Sequence, residues 1–178
     1  MKSKLMAAAG LVLALAGCAG PNIAEYQPLK PQFDMRQYLS GDMEAWGVIF
    51  DYAGKQDLRF HVTMTGRWQG NKGTLEEHFV YDDGRTDQRT WQIEFRDDNN
   101  FTATAGDVIG KAEGRQEGNA VNMRYTLRVP RGDSSIDLSM DDWMYMVDEN
   151  RVLNRTTMRK FGVKVGELVV VFDKSKKK

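Results

Sequence analysis

The chain has 178 residues, of which 25 are Lys or Arg and 25 are Asp or Glu. That balance leaves no basic footprint for nucleic acid, and the length suits one domain with a sizeable core. A single cysteine, Cys18, excludes a disulfide framework.

The chain opens with Lys2 and Lys4, followed by an uncharged, small and apolar stretch from Leu5 to Ala16. A basic start before an apolar stretch of roughly 7–15 residues is the pattern of a secretory signal peptide, expected here as a helix over residues 1–17. It is too short to span a bilayer, which takes about 20 apolar residues. Leu15-Ala16-Gly17-Cys18 resembles the bacterial lipobox. That resemblance implies thioether attachment of a diacylglyceryl group to Cys18, cleavage before it, and a further acyl chain on the new N-terminus. Each buried acyl methylene contributes about 0.8 kcal/mol, so two or three chains give a stable membrane anchor. Ala19 follows the cysteine where an aspartate would retain the protein elsewhere. By resemblance to enterobacterial lipoproteins this implies the outer membrane, with the domain facing the periplasm. Taking Lys2 and Lys4 from the 25 basic residues leaves 23 against 25 acidic ones, a net charge of −2 for the processed chain.

Residues 18–32 contain Pro21, Pro28 and Pro31 and little periodicity, and read as the lipidated cysteine and a flexible tether. The domain is expected over 33–173. In 58–68, Leu58, Phe60, Val62, Met64 and Trp68 share one parity, and Arg59, His61, Thr63, Thr65 and Arg67 the other. Period two marks a strand with one buried face. The pattern recurs at Trp91-Ile93-Phe95, Met123-Tyr125-Leu127-Val129 and Ile136-Leu138-Met140, while 168–172 reads as a more fully buried strand. Turn residues at Asp83-Gly84, Asp98-Asn99-Asn100, Gly118-Asn119, Arg131-Gly132-Asp133 and Glu149-Asn150 separate the runs.

Strands are predicted near 43–52, 57–68, 73–81, 87–96, 100–105, 108–116, 120–129, 134–141, 143–148, 151–160 and 164–173, with some merging. No helical period of useful length appears in the domain. Short connections favour an up-and-down antiparallel meander, and closure into one barrel of about 8–10 strands removes its edges. The interior is predicted to hold Leu58, Phe60, Val62, Phe79, Trp91, Ile93, Tyr125, Leu127 and Leu138. Residues 174–178 form a basic tail, read as a solvated end.

Glu77 has the parity of Leu75, Phe79 and Tyr81, and Arg89 that of Trp91, Ile93 and Phe95. The turn at Asp82-Asp83-Gly84 would bring them together inside the barrel. This predicts either a register-fixing ion pair or a polar anchor for an amphipathic ligand, because a buried carboxylate needs a partner. Asn154 shares the parity of Val152, Thr156 and Met158 and also points inward. Tyr81, Trp46 and Trp143 complete the candidate ligand-binding set. Asp107, Asp141 and Asp142 read as turn and capping residues. His61 and His78 are the only histidines. Glu76 and His78 share a strand face, but nothing completes a metal set. No Gly-x-Ser-x-Gly motif or Gly-rich phosphate loop is present, so neither metal nor cofactor is expected.

Five clusters stand out: Glu44-Ala45-Trp46-Gly47; 75–84, LEEHFVYDDG; 104–110, TAGDVIG; Asp141-Asp142-Trp143-Met144; and Asn154-Arg155 with Lys160-Phe161-Gly162-Val163. In this order they resemble the bacterial lipoproteins of domain-of-unknown-function family 3833, over about residues 33–173. The resemblance implies a lipid-anchored envelope protein with no assigned reaction. A weaker resemblance is to the calycins, the lipocalin-like barrels, whose first strand carries Gly-x-Trp beneath a late Arg. Here the order is Ala45-Trp46-Gly47, with Arg155 or Arg159 expected over the Trp46 ring.

The reading is therefore a barrel binding a small apolar or acyl ligand or an envelope partner. The rivals are an enzyme on a modified lipid, using Glu77, Asp107 or Asp142 as acid or base, and a purely structural envelope protein. Oligomeric state is not legible.

Overall fold

The computed structural model describes residues 20–175. The expected signal peptide and Cys18 lie outside them, as do residues 176–178. The described chain forms ten antiparallel strands: β1 (Gly41–Asp51), β2 (Gln56–Gln69), β3 (Lys72–Tyr81), β4 (Thr86–Phe95), β5 (Asn100–Thr104), β6 (Val108–Glu117), β7 (Ala120–Arg131), β8 (Ser134–Met146), β9 (Arg151–Lys160) and β10 (Val163–Asp173). Each pairs with its sequence neighbour, and β1 pairs with β10, so the sheet closes into the expected up-and-down barrel without a free edge. The two strands predicted at 134–141 and 143–148 are one. Asp141 and Asp142 do not break β8, because both pair along β7 and β9.

Alternation sets the barrel face. Met43 and Ala45 on β1, Phe60, Val62 and Met64 on β2, and Trp91, Ile93 and Phe95 on β4 are buried, with polar neighbours outside. Of the predicted interior set, Phe60, Val62, Trp91, Ile93 and Leu138 are buried. Leu58, Phe79, Tyr125 and Leu127 are half-buried.

One end of the barrel is plugged. A single helical turn, α1 (Met35–Tyr38), is capped by the Asp34 carboxylate, which accepts from Arg36 N at 3.0 Å. Phe33, Met35, Tyr38 and Leu39 are 1–4 % exposed and close the end where β1 begins. A turn of four residues is too short to display a helical period, which is why alternation alone does not reveal it. Gly66 lies against the Leu39 carbonyl and Gly118 against that of Tyr26, where a β-carbon would collide.

The segment expected as a tether contains regular structure. Residues 23–26 form a 3-10 turn, and the Tyr26 ring lies 5.5 Å from Trp143 and 5.7 Å from Tyr145 on the outer wall. The proline-rich composition suggests an extended linker, but those two aromatic side chains provide an apolar surface for it. Lys174, expected in a solvated tail, donates from Nζ to the carbonyls of Tyr38 and Ser40 at 2.6 and 2.5 Å.

Candidate functional site: a polar cluster inside the barrel

The β3–β4 register sets Glu77 opposite Arg89, and both face inward. Arg89 Nη1 lies 3.7 Å from Glu77 Oε2, so the expected pairing is present. The stronger partner is Asp107, in the turn between β5 and β6. Arg89 donates from Nη2 to Asp107 Oδ2 at 2.6 Å and from Nε to the two carboxylate oxygens at 3.0 and 3.2 Å. The β4–β5 pairing ends with Gln92 opposite Thr104, and the long Arg89 side chain reaches past that end to the turn. The guanidinium therefore bridges two carboxylates, one from the strand before it and one from the turn after β5. Its Cζ also lies 5.5 Å from the Phe79 ring centre.

Across the barrel, Asp142 points inward from β8. Asn154 on β9 donates from Nδ2 to Asp142 Oδ1 and to the Trp143 carbonyl, the latter at 3.0 Å. Tyr125 on β7 donates to Asp142 Oδ2 at 3.4 Å, and Thr156 Oγ1 lies 3.5 Å from Asn154 Oδ1. Trp91 and Tyr125 meet edge to face at 5.4 Å, joining the two halves of the cluster.

Burial dominates the electrostatics. It pushes the Glu77 carboxyl up to about 7, with Arg89 opposing. It raises Asp142 to about 6 against the hydrogen bonds from Asn154, Thr156 and Tyr125. Burial and the nearby Asp142 lift the Tyr125 phenol well above its ordinary range. Glu77 Oε2 is buried and accepts no hydrogen bond. Glu77, Arg89, Tyr125, Asp142 and Asn154 line a cavity of about 110 Å³, whose other walls are apolar, among them Val62, Ile93, Ala103 and Met144.

The remaining candidates separate. Asn154 belongs to the cluster, as its parity predicts. Tyr81 faces inward at the end opposite the plug, stacked on Phe79 at 6.1 Å and 12°, but does not line the cavity. Trp46 is on the outer face, its ring 5.3 Å from His61, because Met43 and Ala45 take the inward parity of β1. No late arginine covers it: Arg155 pairs with Glu167 at 2.6 Å, and Arg159 lies 3.9 Å from Asp141. Trp143 is buried but also outward, beneath Tyr26. Asp142, expected in a turn, lies within β8 and lines the cavity, whereas Asp107 is in a turn as expected and holds Arg89. Inward parity with Leu138 and Met140 marks Asp142; no strand register marks Asp107, which is brought in by the reach of the Arg89 guanidinium. Cys18 lies outside the described residues.

Fold and interior together define a calycin-like barrel. The chain belongs to the family described as protein of unknown function DUF3833, whose profile matches residues 12–174. No curated protein matches it. Among solved structures it is similar to the S-type phycobiliprotein lyase CPES from Guillardia theta, with a TM-score of 0.59 and 5 % identity over 89 % of this chain and all of that one. A de novo designed fluorescence-activating β-barrel gives a TM-score of 0.42 and 13 % identity, over 79 % of this chain and 97 % of that one.

Proposed function

We propose that the protein is a lipid-anchored envelope lipoprotein whose barrel binds a small, largely apolar ligand at the interior cluster. One observation carries the binding reading: a largely apolar cavity inside the barrel contains a buried carboxyl oxygen, Glu77 Oε2, that accepts no hydrogen bond. Arg89 Nη1 at 3.7 Å supplies a counter-charge but no hydrogen bond; a ligand group that donates one would satisfy the oxygen, and a buried acceptor without one costs about 1–3 kcal/mol. The cavity of about 110 Å³ is below the roughly 300–1,000 Å³ of drug-sized sites, so it accommodates a compact group or one end of a chain. The half-buried side chains opposite the plug offer the route in.

The lipid anchor rests on the lipobox at Cys18, and the outer-membrane address on Ala19. A second reading, acid–base catalysis, is supported by the raised carboxyls of Glu77 and Asp142.

Native mass spectrometry of the protein extracted from its own membrane tests these readings. The expected spectrum carries the acyl mass on Cys18 and a bound small molecule. Ala103→Leu, which fills the cavity from its wall, should keep the acyl mass and lose the ligand. A wild-type spectrum without ligand refutes binding, and one without acyl mass refutes the anchor. Cys18→Ser should release the protein from the membrane.

A further inference from the structure

The outer wall carries an apolar row in register. Tyr145 on β8 is opposite Leu153 on β9, Leu153 opposite Val171 on β10, and Val171 opposite Trp46 on β1. Trp46 is opposite His61 on β2, and His61 opposite Val80 on β3. Directly paired residues share a sheet face, so these side chains form one outward band. Leu153 is 37 % exposed, Val171 41 %, Trp46 43 % and Val80 52 %. A row of exposed large apolar residues on a sheet face marks an interaction surface. Arg155 and Arg59 flank the row and are already paired, with Glu167 at 2.6 Å and Asp82 at 2.9 Å.

The place where the chain enters identifies the occupant. The N-terminal segment lies over β6 and β7, and its Tyr26 ring covers Tyr145, one strand from Leu153. Asn22 caps the turn there, accepting from Ala24 N at 3.1 Å. Between Cys18 and Asn22 the chain reaches at most about 14 Å. From β8 to Trp46 on β1 is three strand spacings, also about 14 Å. A lipid on Cys18 therefore keeps the bilayer surface within reach of this wall. We propose that the outer wall centred on Trp46 of β1 and Val171 of β10, with Leu153 and Val80 at its margins, lies on the surface of the membrane that holds the lipid anchor, with the Trp46 ring in the interface, where tryptophan is favoured. This rests on the lipid-anchor reading. The contact is largely apolar: the flanking arginines have their counter-charges on the protein, and His61 within the row lies 3.4 Å from the Glu44 carboxylate.

Tryptophan quenching tests it with the full-length lipoprotein, isolated from its membrane and reconstituted into phosphatidylcholine vesicles with plain or brominated acyl chains. Of four tryptophans, Trp91 and Trp143 are each 6 % exposed and Trp68 is half-buried, so Trp46 is the exposed one. Flotation of the vesicles reports anchoring independently of docking. The expected result is flotation together with quenching by brominated lipid of at least half of the emission that Trp46→Phe removes. It should persist in about 0.5 M salt, where surface charges are strongly screened. Val171→Asp should float and lose most of the quenching. If the wild type floats but Trp46 is unquenched, the docking is wrong and the anchor stands. That same outcome would follow if the rim near Phe161 and Tyr52 met the membrane instead, or if a second copy covered the row. If the protein does not float, the anchor reading fails, and the docking with it.

Discussion

Replacing Glu77 with Gln isolates the cost of holding a carboxylate inside the barrel. Burial raises Glu77 from 4.5 to about 7. Between those values the folded protein holds a proton that the unfolded chain has released, so stability falls as pH rises across this window and levels off above it. Each tenfold change in an ionisation equilibrium is worth about 1.4 kcal/mol, which makes the fully ionised residue a burden of about 3 kcal/mol. Gln has nearly the same shape and cannot ionise. Nor does it strand Arg89, whose closest carboxylate is Asp107 at 2.6 Å. Urea denaturation of wild type and Glu77→Gln from pH 4.5 to 8 measures the difference. The two should agree to within about 1 kcal/mol at the acid end, since Gln resembles the protonated acid. At pH 8 the variant should be the more stable by about 3 kcal/mol. Parallel curves across the range would refute the buried-carboxyl argument. So would a variant less stable at every pH, which would show that the attraction between Arg89 and Glu77 outweighs the cost of burial.

Asp107→Asn removes the close partner of Arg89 and leaves Glu77 at 3.7 Å as its counter-charge. It should cost about 1.5–3 kcal/mol in the same denaturation assay, the worth of hydrogen bonds to a charged group, and Arg89→Met combined with it should cost less than the sum of the two singles. Tyr26→Ala removes two ring contacts on the outer wall, each worth about 0.5–1.5 kcal/mol. Limited proteolysis should then cut within residues 22–32 at least several-fold faster while leaving the barrel intact. Equal cutting rates would show that the segment is held by other contacts.

Period two makes the strands legible, since each inward residue on one barrel face announces the next. The same parity places Glu77, Arg89 and Asn154 inside, because a hairpin turn fixes register locally. Trp46 goes astray where resemblance displaces parity: Met43 and Ala45 already take the inward positions of β1. Asp142 goes astray for the opposite reason. Two consecutive aspartates suggest a turn, although one belongs to the apolar parity of Leu138 and Met140, and its carboxylate is held by Asn154 and Tyr125.

Asp107 and the cavity belong to a different order of information. Asp107 does lie in a turn, as expected; what makes it a site residue is the reach of a long guanidinium from β4. The cavity depends on closure. Glu77 and Arg89 come from one hairpin, whereas Asp142 and Asn154 come from β8 and β9, more than fifty residues later. Each pair follows from the register of its own neighbouring strands. That they meet across an apolar interior follows only once β1 bonds to β10, a contact between the two ends of the sheet that alternation within any one strand does not encode. The polar groups most suited to a ligand are therefore half legible, pair by pair, and become a site only when the barrel shuts.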